Sequence, residues 1–370
     1  MPISFAPAPA LPLRREPSLD LLRGIAILLV LDFHFAPQSS LLFAPLRALG
    51  WQHFGWAGVD IFFVLSGFLV GGLLVREWTA RGSIRAGRFL IRRGFKIWPQ
   101  YYVFVLVMLI RHHDRWREYI GNLLNIQNYT SGRSGFDAPL PHTWSLAVEE
   151  HFYLILVAAI VFAIWRQASF RTVFWTLAAV ATAVSLARFL WLYSGHQNDV
   201  YTHLRLDGLI WGVLLAMLYH RVPRRFHALQ TRWWWLLPIA ALVVFRFQSS
   251  LTARAAGVSL ADWSGVALLL MIFRDRDPAR PHLWPYRFVV WLGVNSYGIY
   301  LWHESVAGPS HTFAQILPTW LQGAAVAVTP WLFAIALGVA TTWVIETPML
   351  RLRDRLFPRT PTRPATSALE

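Results

Sequence analysis

Residues 56–76 read WAGVDIFFVLSGFLVGGLLVR, an apolar run whose only charge before the final arginine is Asp60. A helix needs about 20 apolar residues to cross the hydrocarbon core of a membrane, so this run predicts a spanning helix. The whole chain has the same character. Of its 370 residues 56% are hydrophobic and only 14% are charged, against about 25% charged in an ordinary soluble domain. This composition excludes a typical soluble enzyme.

Similar runs recur along the chain and predict an all-α, polytopic membrane helical bundle. The ten candidate spans are 19–36, 56–76, 95–112, 144–165, 172–194, 203–221, 233–247, 257–273, 286–305 and 324–348. We expect one membrane domain over 18–355, after a cytoplasmic segment at 1–17 and before a disordered cytoplasmic tail at 356–370. No small-residue cleavage site follows the first run, so no cleaved signal peptide is expected.

The basic residues indicate the orientation of the bundle. With the N-terminus in the cytoplasm, 24 Lys and Arg residues fall in cytoplasmic segments and 7 fall in external loops. Cytoplasmic loops carry the excess of positive charge, so both termini are predicted to be cytoplasmic. The net charge of +15 is then a property of loops beside the membrane, and no nucleic-acid partner is expected.

Ionisable residues inside spans are costly to bury and are therefore candidates for function. Arg23 and His34 lie 11 residues apart in the first span. That spacing places them on one helix face, about 16 Å apart along the axis. The alternative is a snorkelling arginine and an unrelated buried histidine.

Further ionisable residues cluster near the depth of His34 and suggest a hydrated cavity that opens outward. They are Asp60, Glu149, Glu150, Arg188, Arg205, Asp207 and His303. The alternative is a shallow interfacial network with no chemical role.

The fourth span carries a polar stripe. Trp144 is followed by Ser145, Glu149 and Tyr153. These three residues are spaced four apart, which places them on one helix face. A carboxylate there could orient a histidine or accept its proton. Glu150 points about 100° away and could pair with Arg188 or Arg205, so Glu149 is preferred as the functional acid.

Residues 81–96, RGSIRAGRFLIRRGFK, form a basic segment before the third span. It could be a loop that binds anionic lipid headgroups, or a site for a phosphate-bearing ligand, since arginine matches phosphate oxygens well. The chain has no cysteine, which excludes a thiolate nucleophile and cysteine metal sites. No metal site is expected.

Several motifs appear in a fixed order along the chain. They are Arg23 and His34, the run Gly58–Leu69, Arg92-Arg93 with Lys96–Pro99 and Tyr101, Trp144-Ser145-Leu146 with Glu149 and Phe152-Tyr153, Arg205 with Asp207-Gly208, Ser296–His303, and Glu346 with Pro348. Over about residues 17–355 the chain resembles acyltransferase family 3, the membrane O-acyltransferases of bacterial glycans and some secondary metabolites.

The resemblance implies a ten-helix bundle in the bacterial cytoplasmic membrane. It would transfer an acyl group, often acetyl, from cytoplasmic acyl-CoA to a hydroxyl, commonly of a sugar. His34 resembles the catalytic histidine, Arg23 its paired arginine and Glu149 the acid of the fourth span. Residues Arg92, Arg93, Lys96 and Ser66 are assigned to acyl-CoA, and Trp144, Ser145, Glu150, Tyr153, Arg188, Arg205, Asp207 and His303 to the acceptor cavity. Many members carry arginine at Lys96.

The expected mechanism is direct transfer. His34 takes the proton of the acceptor hydroxyl, Glu149 and Asp60 hold its tautomer, and Arg23 orients the donor. A variant passes the acyl group through His34 as a nucleophile. No permanently bound cofactor is expected; acyl-CoA is a co-substrate, and membrane lipids surround the bundle.

Two other function classes stay open at this stage. A transporter of a glycan or its lipid carrier would use the same charges as a pathway, although the sequence has no internal repeat of the kind many transporters show. A non-catalytic partner in an envelope assembly is the third class. The acceptor could be a polysaccharide, a lipid-linked oligosaccharide, a periplasmic glucan or a macrolide-like small molecule.

Overall fold

A computed structural model describes residues 16–35, 54–130, 139–232, 236–246, 251–274 and 283–358. Within these ranges the chain forms helices and turns, and no strand occurs. The helices that position the site, numbered in chain order, are α1 (Pro17–Phe35), α2 (Ala57–Arg81), α3 (Ala86–Arg111), α4 (Trp144–Trp165), α5 (Phe170–Tyr193), α6 (Thr202–Arg221), α7 (Leu237–Arg246), α8 (Leu251–Arg274), α9 (Trp284–Val294), α10 (Ser296–Trp302), α11 (Thr319–Thr341) and α12 (Thr347–Leu356). Shorter helices include Pro223–Gln230 and Ala307–Gln315.

The all-α prediction is confirmed for the described residues, where each predicted span overlaps at least one helix. Among the described residues, five helical segments are long and apolar enough to cross a membrane: Ala57–Arg81, Pro141–Trp165, Phe170–Tyr193, Ala255–Ile272 and Thr319–Leu356. Among the others, α1 carries three charges, Asp20, Arg23 and Asp32. The ninth span is divided at Asn295 into α9 and α10. The count of ten spans and the cytoplasmic termini therefore stay predictions.

The third span begins earlier than predicted. Gly82 ends α2 in the left-handed conformation, at φ 68°, and α3 already starts at Ala86. The basic segment is thus mostly the first turns of α3 rather than a loop. Its helical repeat buries Phe89 and Ile97, while the basic side chains between them stay partly accessible.

The expected membrane domain, 18–355, begins and ends close to the first and last residues that the structure describes, 16 and 358. The N-terminal segment lies outside the described residues up to residue 15, and the tail does so from residue 359. Phe357, at the start of the expected tail, packs against Phe95 of α3 with the ring centroids 6.1 Å apart. The chain just beyond α12 is therefore held against the bundle.

Helix α2 lies at the centre of the bundle, against α1, α6 and α8. Its closest approach is to α6, where both helices carry a glycine. A Cβ atom at Gly67 would overlap the carbonyl oxygen of Leu209, and one at Gly212 would overlap that of Val64. Small residues permit this contact between backbones, as is common in membrane helix pairs.

Apolar side chains also cover the outside of the bundle. On α5, Trp175, Leu186 and Leu190 are more than half exposed, although the helix is strongly apolar. A soluble protein rarely exposes such a surface, so this face suits lipid rather than water.

We predict that Gly67→Ala destabilises the bundle, because the new methyl group meets backbone that cannot rotate away. Overpacking of this kind costs about 1–3 kcal/mol, which should lower Tm and the monodisperse yield in detergent. Gly87→Ala on α3 is the matched control, since its Cβ would have nothing within 4 Å. An unchanged Tm in Gly67→Ala would contradict the close packing of α2 on α6.

Candidate functional site

Three histidines and a glutamate meet at one end of the bundle; we call them the histidine–glutamate cluster (His34, His142, His303 and Glu304). His34 lies at the end of α1 and His142 in the turn before α4, while the turn after α10 supplies the other two. Nε2 of His34 lies 3.2 Å from Oε1 of Glu304, and Nδ1 of His142 lies 2.9 Å from Oε2. One carboxylate therefore joins two histidines.

Each histidine of the cluster is also oriented by a backbone carbonyl. Nδ1 of His34 lies 2.9 Å from the Val30 oxygen, and Nε2 of His142 lies 3.0 Å from that of Leu301. A ring nitrogen that faces a carbonyl donates its proton. The other nitrogen of His34 is therefore the one free to take up a proton, and a proton there meets Glu304.

Accessibility distinguishes the members of the cluster. His303 is fully buried and His142 nearly so, whereas the side chain of His34 is 28% exposed and that of Glu304 is 26% exposed. The ring of His303 packs on that of His34, with centroids 4.6 Å apart. A ligand can thus reach the cluster on the side of His34 and Glu304.

The cluster also has the spacing of a metal site. Ligand atoms of His34, His303 and Glu304 lie within 4.8 Å of one another, so these three could hold a divalent ion. A proton between His34 and Glu304 would explain their 3.2 Å contact as well as a metal ion would. The expectation of no metal stays a prediction.

A cavity of about 160 Å³, the inner cavity, lies beside the cluster within the bundle. The stripe on α4 forms one of its walls, since Ser145, Glu149 and Tyr153 all line it. The predicted common face is confirmed. From Tyr153 to Ser145 the stripe rises about 12 Å, which gives the cavity its minimum length.

Hydrogen bonds fix the polar wall of the inner cavity. The Tyr153 hydroxyl donates to Oε2 of Glu149 over 2.9 Å and lies 2.8 Å from Oγ of Ser66. Ser66, which was assigned from sequence to acyl-CoA, also lines the cavity. Helices α2 and α4 are therefore joined at this wall by a chain of three polar groups.

Three cations, Arg23, Arg93 and Lys96, line the inner cavity. The guanidinium of Arg93 lies 5.8 Å from the ring centroid of Tyr153, which places it beside the Tyr153 end of the stripe. Arg23 is also paired with Asp20, over 2.9 Å, and Lys96 with Glu346. One region of the cavity is thus cationic.

Arg92 lies apart from the other basic residues. It donates to Oδ1 of Asp354 over 2.9 Å and to the carbonyl oxygen of Phe357. Adjacent helical residues point about 100° apart, which explains why Arg93 faces the cavity and Arg92 faces α12. Of the basic residues assigned from sequence to the donor, only Arg92 is absent from the cavity lining.

Tyr300 connects the inner cavity to the histidine–glutamate cluster. It lines the cavity, and its hydroxyl lies 2.6 Å from Oγ of Ser145 and donates to the His142 carbonyl oxygen over 2.7 Å. Its own carbonyl oxygen accepts a hydrogen bond from His303 over 2.5 Å. A group at this end of the cavity is thus separated from the histidines by the phenol and backbone of one residue.

The expected single cavity of charges at the depth of His34 needs correction. Arg188 pairs with Asp207 over 2.5 Å and with Asp262 over 3.1 Å. Arg205 pairs with Asp60 over 2.6 Å. All five are buried, and opposite charges pair where water cannot reach them.

We call this group, with Asp199 on Arg205, the buried ion network. It links α2, α5, α6 and α8. Trp144, also assigned to the acceptor cavity, packs its ring 5.0 Å from the Arg205 guanidinium. These residues therefore belong to the packing of the bundle and do not line the inner cavity.

The expected partners of His34 also need correction. Its carboxylate partner is Glu304, because Asp60 is occupied by Arg205 and Glu149 by Tyr153. Glu150 accepts a hydrogen bond from Nε1 of Trp98 over 2.9 Å rather than pairing with Arg188 or Arg205.

Sequence analysis overlooked His142, Asp262 and Glu304. Two of them had a usable signal, since Asp262 interrupts the eighth apolar run and Glu304 follows His303 within the ninth. His142 lies two residues before Trp144, outside any apolar run, and its importance follows only from the folded contacts.

Comparison with known proteins identifies relatives of this chain. Peptidoglycan O-acetyltransferase OatA of Listeria monocytogenes is 28% identical over 323 residues, which cover 78% of this chain and 49% of that protein. A Staphylococcus aureus (strain MSSA476) protein with the provisional name O-acetyltransferase SAS0844 is 27% identical over 337 residues, covering 81% of this chain and 52% of its own. The chain thus spans about half the length of these curated relatives. No solved structure matches it.

The sequence profile of one family, described as acyltransferase domain, matches residues 16–345. This match includes α1 to α11, the inner cavity and all four members of the histidine–glutamate cluster. Together with the apolar helices, it identifies the chain as a multi-pass membrane protein that belongs to the acyltransferase 3 family.

Proposed function

We propose that the protein is a membrane O-acetyltransferase that uses cytoplasmic acyl-CoA to acylate a hydroxyl group of a glycan. The relatives named as O-acetyltransferases, one of them for peptidoglycan, support the reaction class. The observation that carries the proposal is the arrangement of two unlike compartments side by side. A cavity with cationic side chains lies next to an accessible histidine paired with a carboxylate.

The inner cavity is the proposed donor site. CoA carries phosphate groups, and the cations of Arg93 and Lys96 suit them. A narrow cavity of about 160 Å³ suits the slender thioester arm rather than the nucleotide. With the phosphates at the cationic region, the arm would run along the α4 stripe and bring the acyl group towards Ser145 and Tyr300.

His34 is the proposed general base. Its Nε2 takes the proton of the acceptor hydroxyl while the hydroxyl oxygen attacks the thioester carbonyl. The carbon–sulfur bond then breaks, and the CoA thiolate takes the proton back from His34. Glu304 stabilises the imidazolium that forms between these two steps, because its Oε1 already lies 3.2 Å from Nε2.

Glu149 has a different role in this proposal from the one expected from sequence. It accepts a hydrogen bond from Tyr153 and faces the inner cavity, so we infer that it positions the donor arm rather than His34. Arg23 lies on the same face of α1 as His34, about 16 Å away along the helix axis. We propose that it binds the donor as well.

Two alternatives to this mechanism remain testable. In the acyl-histidine variant, Nε2 of His34 itself would carry the acyl group before the acceptor arrives. In the exporter alternative no acyl group would move, and free CoA would not be released in the presence of an acceptor. Release of CoA only when acceptor is added supports direct transfer, whereas an acylated His34 peptide supports the variant.

We predict that His34→Ala lowers kcat by about 10²- to 10⁴-fold, the usual contribution of a positioned general base. Glu304→Gln should also lower kcat, by a smaller factor, and should leave the donor KM unchanged. Both variants should retain the wild-type elution profile in detergent. His113→Ala is the control, since this histidine is exposed and lies outside the cluster. Normal turnover in His34→Ala would refute the mechanism.

We predict that Arg93→Ala raises the KM for acyl-CoA about tenfold or more, since a hydrogen bond to a charged group contributes about 1.5–3 kcal/mol. Arg92→Ala is the matched control, because the neighbouring side chain contacts α12 instead. Added salt should weaken donor binding more in the wild type than in Arg93→Ala. Equal effects of the two substitutions would contradict the assignment of the inner cavity to the donor.

We predict that Glu149→Gln loses more activity than Glu150→Gln. Glu149 faces the inner cavity, whereas Glu150 accepts from the indole of Trp98. Steady-state kinetics and folded yield should be measured for both variants. A larger loss of kcat/KM in Glu150→Gln, at equal folded yield, would mean that the α4 stripe does not line the donor path.

A further inference from the structure

A second concave surface lies on the other side of the turn that carries His303 and Glu304. This groove, of about 490 Å³, runs between α3, α11 and the turn after α10. Its lining is almost entirely apolar, with Met108, Trp302, Val306 and Phe333 among the residues that form it. It shares no lining residue with the inner cavity, so it is a separate compartment.

The groove opens at the outer surface of the bundle. Ala336 and Ala340 lie one turn apart on α11, line the groove and are exposed. Their small side chains leave open space along the helix, and a groove of about 490 Å³ can take part of an apolar chain. Because the neighbouring surface is apolar as well, such a chain could enter sideways from the membrane.

One end of the groove carries a positive charge. Arg111, the last residue of α3, lines it, and no carboxylate pairs with this guanidinium in the part of the chain that the structure describes. Arg93, at the proposed donor site, lies 18 residues earlier on the same helix. That separation corresponds to about 27 Å, close to the thickness of the hydrocarbon core.

The groove is also adjacent to the proposed chemistry. Trp302 and Ser305 line it and flank His303 and Glu304 in sequence. Trp302 packs on Phe104, and Phe104 on His142, with ring centroids 4.9 and 5.8 Å apart. Two aromatic rings, those of Trp302 and Phe104, therefore separate a chain in the groove from His142 of the cluster.

We propose that this groove binds the acceptor as a glycan linked to a polyprenyl phosphate, with the isoprenoid chain along α11 and the phosphate at Arg111. The inference rests on the proposed acyl transfer and specifies its acceptor class. An apolar chain that ends in an anionic phosphate complements an apolar channel that has the Arg111 guanidinium at one end. Since the groove follows a single helix, α11, we expect it to take one chain rather than the two chains of a phospholipid.

The test measures binding, so it does not depend on turnover. The purified full chain in detergent is titrated with decaprenyl phosphate, decaprenol or phosphatidylglycerol, and bound lipid is counted by native mass spectrometry. We expect decaprenyl phosphate to bind at least tenfold more tightly than either of the others. Equal binding of phosphatidylglycerol would reduce the groove to a site for ordinary membrane lipid and overturn the proposal.

Two substitutions probe the two ends of the groove. Ala336→Trp fills the channel, and Arg111→Gln removes the charge. Each substitution should weaken the binding of decaprenyl phosphate at least tenfold. Ala324→Trp is the matched control, an exposed alanine on α11 outside the groove, and should bind normally. Normal binding in both test variants would overturn the proposal even if His34→Ala still abolished acyl transfer. If both test variants lose binding but the wild type transfers no acyl group, the proposed function is contradicted instead.

Discussion

The cost of placing charge in an apolar bundle governs the rest of this structure. The buried ion network answers that cost by pairing two arginines with four aspartates from the core helices and the segment before α6. Removing one partner would leave an uncompensated charge, which is far more damaging than the loss of an exposed ion pair. The network therefore fixes the relative positions of α2, α5, α6 and α8.

This fixed core determines where the inner cavity can lie. Helix α2 is held against α6 twice, by the ion pair of Asp60 with Arg205 and by close backbone contact at Gly67. The preceding residue, Ser66, points about 100° away from Gly67 and meets Tyr153 of α4. A small displacement of α2 would break this hydrogen bond and open the cavity wall, so the polar wall depends on ion pairs that lie outside the inner cavity.

Sequence reasoning succeeded where the information was local. Ser145, Glu149 and Tyr153 share a face because of the helical repeat alone, whatever surrounds the helix. It failed where partners come from distant segments. Glu304 lies 270 residues after His34, and nothing in either neighbourhood indicates that one turn after α10 meets the end of α1. Asp60 and Arg205 lay at one depth for a structural reason, their mutual pairing, and depth alone could not distinguish this from a shared cavity.

The break between α9 and α10 changes the directions in which side chains of the ninth span point. A continuous helix through Asn295 and His303 would direct its side chains by one regular repeat. Instead the chain bends at Asn295 and passes into a tighter turn at His303–Val306. Side chains of that turn then face two sides, with His303 and Glu304 towards His34 and Ser305 towards the groove, which Trp302 at the end of α10 also lines. One short turn thus separates the proposed base from the apolar channel.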